Sequence, residues 1–191
     1  MHIGLILKLF FYVVFSFVHS LMDIRCYAHY HSAIHVDRMD TINKHLTWAQ
    51  QLCSQRECCV HDVRVRLRAK GAEPQEVEEV IAALIEQNFL NEARYARAFV
   101  HDKSKLQGWG PEKIRYALRA KQLPDALIRG ALAEIDQDAQ KERLIRLLEV
   151  KQQSIKVTSE TDLRAKLIRF GLARGFTYNE AMAALSTLFA E

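Results

Sequence analysis

Cysteine, proline and glycine are all scarce in this chain. It has 4 Cys, 3 Pro and 7 Gly among 191 residues. Four cysteines are too few for a disulfide scaffold, so we expect reduced thiols and a cytoplasmic protein. The low proline and glycine content argues against a collagen-like or low-complexity chain and against a turn-rich all-β sandwich.

Recognisable catalytic motifs are also missing. Gly108 and Gly110 lie on either side of a tryptophan, but the Lys-Ser/Thr pair of a phosphate-binding loop does not follow them. No His-Glu-x-x-His motif occurs, and the isolated histidines have no matched nucleophile. A cysteine and histidine group has the spacing of no common zinc site; it consists of Cys53, Cys58, Cys59 and His61. We therefore predict that the protein is not an enzyme and holds neither a metal nor a cofactor.

Residues 1–38 differ in character from the rest of the chain. Residues 3–21 are almost wholly apolar, interrupted mainly by Lys8 and His19, and a run of this length is a candidate transmembrane helix. Its core also has the length of the apolar part of a signal peptide. Helical patterning begins only at Met39. Three interpretations stay open for residues 1–38: a dispensable or misassigned extension, a membrane anchor, or a signal segment.

From residue 41 onward the apolar residues recur at spacings of three and four, which is the helical period. All three prolines stand at or near the start of a periodic run, where the missing N–H costs nothing. Gly71 follows Lys70 where a helix should end, a position at which glycine commonly takes the left-handed conformation. No alternating strand pattern appears. The fold class is therefore predicted to be all-α.

An internal repeat emerges when the chain is compared with itself. The sequence Leu-Arg-Ala-Lys at 67–70 recurs at 118–121, a shift of 51 residues. The same shift places Val63 on Ile114, and a shift of 104 places Val63 on Leu167. We predict an elongated, monomeric tandem array of three three-helix repeats. The predicted repeats span 39–88, 89–136 and 137–191.

Charge separates by helix within these repeats. The total is 27 Lys and Arg against 23 Asp and Glu, a net of +4, which by itself does not identify a nucleic-acid-binding protein. The second helix of each repeat, however, carries a net charge of +3, and the third helices are acidic. A basic stripe repeated along an array suits a polyanion or the acidic surface of a filament. The competing interpretation is a solvated face whose Lys and Arg pair with acidic neighbours.

The basic second helices supply the candidate contact residues. On a helical wheel, two rows of cations border the apolar stripe of Val63 and Leu67. The seven candidates for binding a filament or DNA are Arg64, Arg68, Lys70, Arg115, Arg119, Lys121 and Arg174. Arg94 and Arg97 are interpreted as structural. Four aromatic residues are assigned to the core or to repeat interfaces: Tyr95, Phe99, Trp109 and Tyr116. Trp109, between two glycines, is expected to be the most exposed of them.

The middle repeat contains a motif made of the following residues: Phe89, Leu90, Arg94, Tyr95, Ala96, Phe99, Gly110, Pro111, Ile114, Leu118 and Lys121. In these residues it resembles the RecX family, the regulatory proteins of the RecA recombinase. Arg-Gly-Phe at 174–176 resembles the family's third-repeat signature, and the resemblance covers residues 44–191. Departures from the family pattern are Asn91 for Asp, Gln122 for Gly, Gly171 for Leu and Cys59 for a capping Ser.

The resemblance implies a non-catalytic modulator of RecA that acts in DNA repair, recombination and the SOS response. It implies a curved helical protein that lies along the groove of the RecA–single-stranded-DNA filament and suppresses recombinase activity. Single-stranded DNA would be contacted mostly through the filament. Two alternatives remain: a membrane-tethered helical adaptor anchored by residues 3–21, and a helical protein that binds DNA directly without RecA.

Overall fold

The computed structural model describes residues 38–156 and 159–190. The apolar segment at 3–21 therefore lies outside the described residues. Every regular element in the described ranges is helical, which confirms the all-α prediction. The elements are α1 (38–55), α2 (Val60–Ala69), α3 (Pro74–Glu86), α4 (Glu92–His101), α5 (Pro111–Ala120), α6 (Asp125–Ala133), α7 (Gln137–Gln153), α8 (Glu160–Arg174) and α9 (Tyr178–Leu188).

The chain divides into two compact units, Met1–Trp48 and Ala49–Glu191. Of the first unit, the structure describes the opening turns of α1, where the Thr47 hydroxyl donates to the carbonyl of Asn43 at 2.8 Å. The second unit contains the remainder of α1 and all of α2 to α9. There the helices follow one another in groups of three, with a π-helical segment, Asp102–Leu106, continuing α4.

Local capping chemistry explains where several helices begin. Asn91 accepts a hydrogen bond from the Arg94 amide at the start of α4, so the amide replaces the family's usual aspartate without loss of the cap. A capping box begins α9, in which Thr177 and Glu180 satisfy each other's backbone amides. Cys59, as expected, stands at the N-cap of α2 without a side-chain cap hydrogen bond.

The same turn ends α2, α5 and α8. In each turn one residue has a positive φ, and the next amide donates to a carbonyl five residues back, as in a Schellman motif. These bonds run from Ala72 to Leu67 at 3.1 Å, from Leu123 to Leu118 at 3.3 Å and from Phe176 to Gly171 at 3.1 Å. The positive-φ residues are Gly71 (89°), Gln122 (61°) and Gly175 (90°). These three positions are related by the sequence shifts of 51 and 104, so the repeat recurs in the backbone.

Two hydrophobic clusters show how the helices pack. One gathers side chains from α4, α5 and α6 and includes the Cys59 thiol; the other gathers side chains from α7, α8 and α9. The repeat-equivalent residues Val63, Ile114 and Leu167 are all fully buried. Periodicity therefore identified the inward-facing positions correctly.

Gly171, where the family has leucine, lies at the contact between α8 and α9. A Cβ added there would sit 3.3 Å from the Cβ of Ala181 and 3.9 Å from Leu144 Cδ1. The two helices therefore approach too closely for a leucine at this position without repacking. Glycine at this position lets α8 and α9 pack closely. It also lowers the helix propensity of α8, which is the cost expected of a glycine within a helix.

Candidate interaction surface

The cations predicted on α2 differ in their surroundings. Arg64 forms a two-point ion pair with Glu78 of α3, with Nε–Oε1 and Nη2–Oε2 distances of 2.8 and 2.9 Å. The hydrogen bond from Arg64 lowers the pKa of Glu78 below its ordinary value and raises that of Arg64. Arg68 and Lys70 are exposed at the end of the helix, and Arg68 joins no ion pair within the described ranges.

On α5 the predicted cations are paired more completely. Arg115 contacts Glu112 one turn away, and Arg119 Nε lies 2.8 Å from Asp125 Oδ1 of α6. The hydrogen bond from Arg119 holds the pKa of Asp125 below its ordinary value, with further lowering from Arg115 and Arg129 nearby. The Arg119 side chain is nevertheless 57% exposed, so solvent screens this pair. Arg115 and Arg119 thus each pair with a carboxylate of their own, Glu112 and Asp125.

The remaining two predicted cations join successive groups of helices. Lys121 donates to both carboxylate oxygens of Asp62 on α2, each at 2.8 Å. Arg174 at the end of α8 donates to the carbonyl of Gln107 at 2.9 Å, and its guanidinium lies 5.1 Å from the centre of the Phe170 ring. Both side chains therefore connect parts of the fold.

Four of the seven predicted cations are thus paired with carboxylates inside the protein: Arg64, Arg115, Arg119 and Lys121. The interpretation that acidic neighbours neutralise the basic helices holds at these positions. Arg64 and Arg119 pair with the third helix of their own repeat, whereas Arg115 pairs within α5 and Lys121 pairs with Asp62 of α2. The role of the seven residues in binding a filament stays a prediction.

Backbone contacts tie α8 to the start of α5. The Gly110 amide donates to the Arg174 carbonyl at 2.8 Å, and the Glu112 amide donates to the Gly175 carbonyl at 3.0 Å. The first-turn amides of α5, which no helical carbonyl can satisfy, thus take acceptors at the end of α8. Both glycines are needed for this approach, since a Cβ on Gly110 would lie 2.3 Å from the Gly175 oxygen.

Arg94 has the structural role that its sequence position indicated. Its Nε donates to Glu57 at 2.6 Å, and its Nη2 donates to the carbonyls of Asn88 and Phe89. The guanidinium therefore fixes the connection before α4 against the segment before α2.

The three cysteines of the described ranges are free, buried thiols. Burial raises the pKa of Cys53 to about 12 and also raises that of Cys59. Within the residues that the structure covers, no group of three or more His, Cys, Asp and Glu side chains could hold a metal ion. A thiolate ligand set around Cys53, Cys58, Cys59 and His61 is therefore not supported by this geometry.

The core or interface assignment was wrong for Tyr116, which is 77% exposed on α5. Trp109, expected to be the most exposed of the four aromatic residues, is instead partly buried against the core of α4–α6, which agrees with its assignment to the core or an interface. The ammonium groups of Lys103 and Lys113 lie 4.9 and 4.6 Å from its ring centre, within cation–π range.

A cleft that sequence reasoning missed lies between α4, the end of α6 and the first half of α7. Its volume is about 160 Å³, and we name it the α4–α7 cleft. Four of its lining residues are basic: Arg97, His101, Lys105 and Arg143. Arg97 was interpreted as structural, but it is exposed here and joins no ion pair in the described part of the chain. The spacing of residues 97, 101 and 105 along one helical face was the available signal.

None of the helices built from the described residues is long and apolar enough to cross a membrane.

The protein is therefore a helical-repeat protein in which the second helix of each repeat ends in the same type of turn. A family model described as the second three-helix domain of RecX matches residues 91–132. The chain is 32% identical over 139 residues to the regulatory protein RecX of Vibrio parahaemolyticus serotype O3:K6, covering 72% of this chain and 87% of that one. The chain belongs to the RecX family of regulatory proteins.

Other relatives agree with this assignment. The regulatory protein RecX of Clostridium botulinum strain Eklund 17B is 36% identical over 119 residues, which is 61% of this chain but only 55% of that relative's length. The chain thus spans about half the length of the clostridial relatives that it matches. The crystal structure of RecX from Lactobacillus salivarius has the same fold, with a TM-score of 0.72 at 23% identity over 80% of this chain and 99% of that one.

Proposed function

We propose that this chain is a non-catalytic cytosolic regulator that binds the RecA recombinase and its filament on single-stranded DNA, and that it inhibits recombinase activity. The observation that carries the proposal is membership of the RecX family, with 32% identity over 87% of the Vibrio relative. The repeated helical architecture supports it, because successive repeats can contact neighbouring filament subunits and several weak contacts then act together.

The seven predicted cations remain the proposed contacts, but their surroundings rank them. Arg68 is exposed and joins no ion pair of the described chain, so it can meet an acidic partner at no cost. Arg119 pairs with Asp125 at an exposed position, and such a pair is worth only about 0.2–1 kcal/mol, so a partner carboxylate or phosphate can displace it. Arg64, Arg115 and Lys121 are held more closely and contribute less, as does Arg174 through its link to Gln107.

The deciding experiment adds the protein to RecA, single-stranded DNA and ATP. We expect ATP hydrolysis and strand exchange to fall as the protein is titrated. An unchanged rate of both reactions at excess protein would rule the proposal out.

A matched pair of variants tests the contacts. Replacing Arg68 and Arg119 together by Ala should weaken inhibition about tenfold or more, because two charge-assisted contacts are lost. The control is Arg146→Ala, which removes an exposed arginine that pairs only with Glu142 on its own helix. We expect that control to inhibit like the parent protein. Equal inhibition by both variants would mean that Arg68 and Arg119 are merely solvated.

A further inference from the structure

The α4–α7 cleft has features that the predicted basic helices lack. On α2 and α5, Arg64, Arg115 and Arg119 pair with carboxylates of the same chain, as does Lys121 just after α5. In the cleft, Arg97, Lys105 and Arg143 converge from two different helical elements, and none of them joins an ion pair in the described ranges. Cations that line a cleft without a carboxylate partner of their own can each form an ion pair with an anionic occupant.

The backbone beside the cleft is unusual in the same place. α4 does not simply end at His101 but widens into the π-helical segment Asp102–Leu106. This segment buries Ser104, whose hydroxyl donates to the His101 carbonyl at 3.4 Å, and it sets Lys105 at the rim of the cleft. Single π turns within α-helices occur frequently at functional sites.

The floor of the cleft is apolar. It consists of Val100 from α4, Ala131 and Ile135 from α6 and the segment after it, and Ala139 from α7. Cations beside an apolar floor suit a peptide in which a hydrophobic side chain lies next to a carboxylate. They suit the sugar-phosphate chain of a nucleic acid less well. Glu134 and Asp136 also line the cleft. They would repel a continuous polyanion, whereas a short peptide can place its carboxylates away from them.

We propose that the α4–α7 cleft is a docking site for an acidic segment of a partner protein, in which carboxylates meet Arg97, Lys105 and Arg143 and a neighbouring aliphatic side chain rests on the apolar floor. The inference deepens the proposed function and rests on it for the identity of the partner, the RecA filament. It places a second anchor at the junction between the α4–α6 and α7–α9 groups, separate from the exposed ends of α2 and α5.

The first test measures binding of the full chain to a RecA filament assembled on single-stranded DNA with a non-hydrolysable ATP analogue. The variant is Arg97→Gln with Arg143→Gln, and the matched control is Arg146→Gln, one turn along α7 from Arg143. We expect the double variant to bind at least about tenfold more weakly, the control to bind within about twofold of the parent, and all three to have the same circular dichroism. Parent-like binding by the double variant would overturn the cleft as a docking site while leaving the proposed function intact.

A second test does not depend on RecA. Methyl NMR spectra of the full chain are recorded during titration with a synthetic peptide of alternating glutamate and leucine, and with a lysine–leucine peptide of the same length. We expect shifts of Val100, Ala131, Ile135 and Ala139 with the acidic peptide alone, and their loss in the double variant. If these shifts are absent, the cleft is not a docking site, even if the protein binds the filament. If the shifts are present but the protein does not bind the filament, the proposed function is refuted and the docking site stands.

Binding to naked single-stranded DNA tests whether the cleft takes a nucleic acid instead of a protein segment. The double variant and the parent should bind it equally, because the cleft is inferred to take a protein segment. If the double variant loses naked DNA binding by the same factor as filament binding, the cleft takes phosphates and the inference is wrong.

Discussion

At the scale of single residues, the ion-pair partner of each Lys or Arg within the protein decides whether that side chain is available to another molecule. Arg64 and Lys121 have similar positions in the basic sequences of their repeats, but their ion pairs differ. Arg64 links α2 to α3, whereas Lys121 links the turn after α5 to α2. Arg97, by contrast, joins no ion pair within residues 38–156 and 159–190 and lines a cleft. Which arginines are available for a partner therefore follows from ion pairing, not from the number of positive charges in a helix.

The Lys121–Asp62 bridge should contribute measurably to stability. Both oxygens of Asp62 accept from a lysine that is only 29% exposed, so screening is weaker than at the surface. We expect Lys121→Met to lower the free energy of unfolding by about 1 kcal/mol, and a double-mutant cycle with Asp62→Asn to give a coupling of roughly 0.5–1 kcal/mol. Urea unfolding measures both values.

Arg146→Met serves as the control for this cycle. It breaks a pair with Glu142 in which the arginine is 73% exposed, and it should change stability by no more than about 0.5 kcal/mol. A Lys121–Asp62 coupling near zero would show that the bridge only accompanies the packing of α2 against α5.

The Cys53 thiol should be strongly protected from alkylation in the folded protein. Burial raises its pKa to about 12, so far less of this thiol is thiolate at pH 8 than of an ordinary cysteine. Pulsed iodoacetamide labelling followed by mass spectrometry should therefore modify Cys53 at least about tenfold more slowly in buffer than in concentrated guanidinium chloride. Equal rates in the two conditions would contradict the burial of this thiol.

At the scale of elements, three equivalent turns set the spacing of the repeats. Each second helix ends in a residue with positive φ, followed by a buried apolar residue: Ala72, Leu123 or Phe176. Two of these turns use glycine, and the middle one uses Gln122, where a side chain adopts the left-handed conformation at a cost of about 1 kcal/mol. The departure from the family pattern at Gln122 thus has an identifiable energetic consequence.

Substitutions at the three turns should have graded effects. Gln122→Gly should raise the free energy of unfolding by about 1 kcal/mol by relieving the strained φ. Gly71→Ala should lower it by about 1 kcal/mol, because nothing lies within 4 Å of the added Cβ and only the conformational cost applies.

Gly175→Ala should be the most damaging of the set. Its Cβ would lie 2.3 Å from the Cβ of Lys113 and 2.5 Å from the Lys113 nitrogen, so α8 must move away from α5. We expect a loss of roughly 3 kcal/mol, measured by the same urea unfolding. Similar losses for Gly71→Ala and Gly175→Ala would show that the junction between α8 and α5 tolerates separation.

At the scale of the whole molecule, internal pairing limits how strongly the protein can neutralise a nucleic acid. Seven phosphate contacts to a single strand would give a slope of about −5 in a plot of log affinity against log salt concentration. Four of the seven predicted cations already pair with carboxylates, so at most three could neutralise phosphates without breaking an internal ion pair, which predicts a slope no steeper than about −2.

We therefore expect shallow salt dependence for naked single-stranded DNA. Fluorescence anisotropy of a labelled oligonucleotide across a salt series measures the slope, and the quadruple variant of the paired residues should change it little. A slope near −5 in the parent protein would favour direct DNA binding over action through the filament.

The sequence by itself determined the helices, the buried faces and the repeated turns of this protein. Periodicity and capping are local: Val63, Ile114 and Leu167 are buried because helical spacing places them on the inner face, and Gly71 and Gly175 end helices because only their own φ must be satisfied. The middle-repeat motif indicated the resemblance to the RecX family in the same local way.

Only the tertiary structure decided which charges remain available and where a cleft forms. Asp62 and Lys121 are 59 residues apart, and Arg97 and Arg143 line one cleft although they come from helices that no local pattern relates. Ion pairs and clefts depend on how helices from distant parts of the chain approach each other, because the Coulomb interaction depends on distance in space rather than along the sequence. The burial of Trp109 under two lysines and the exposure of Tyr116 follow from the same packing.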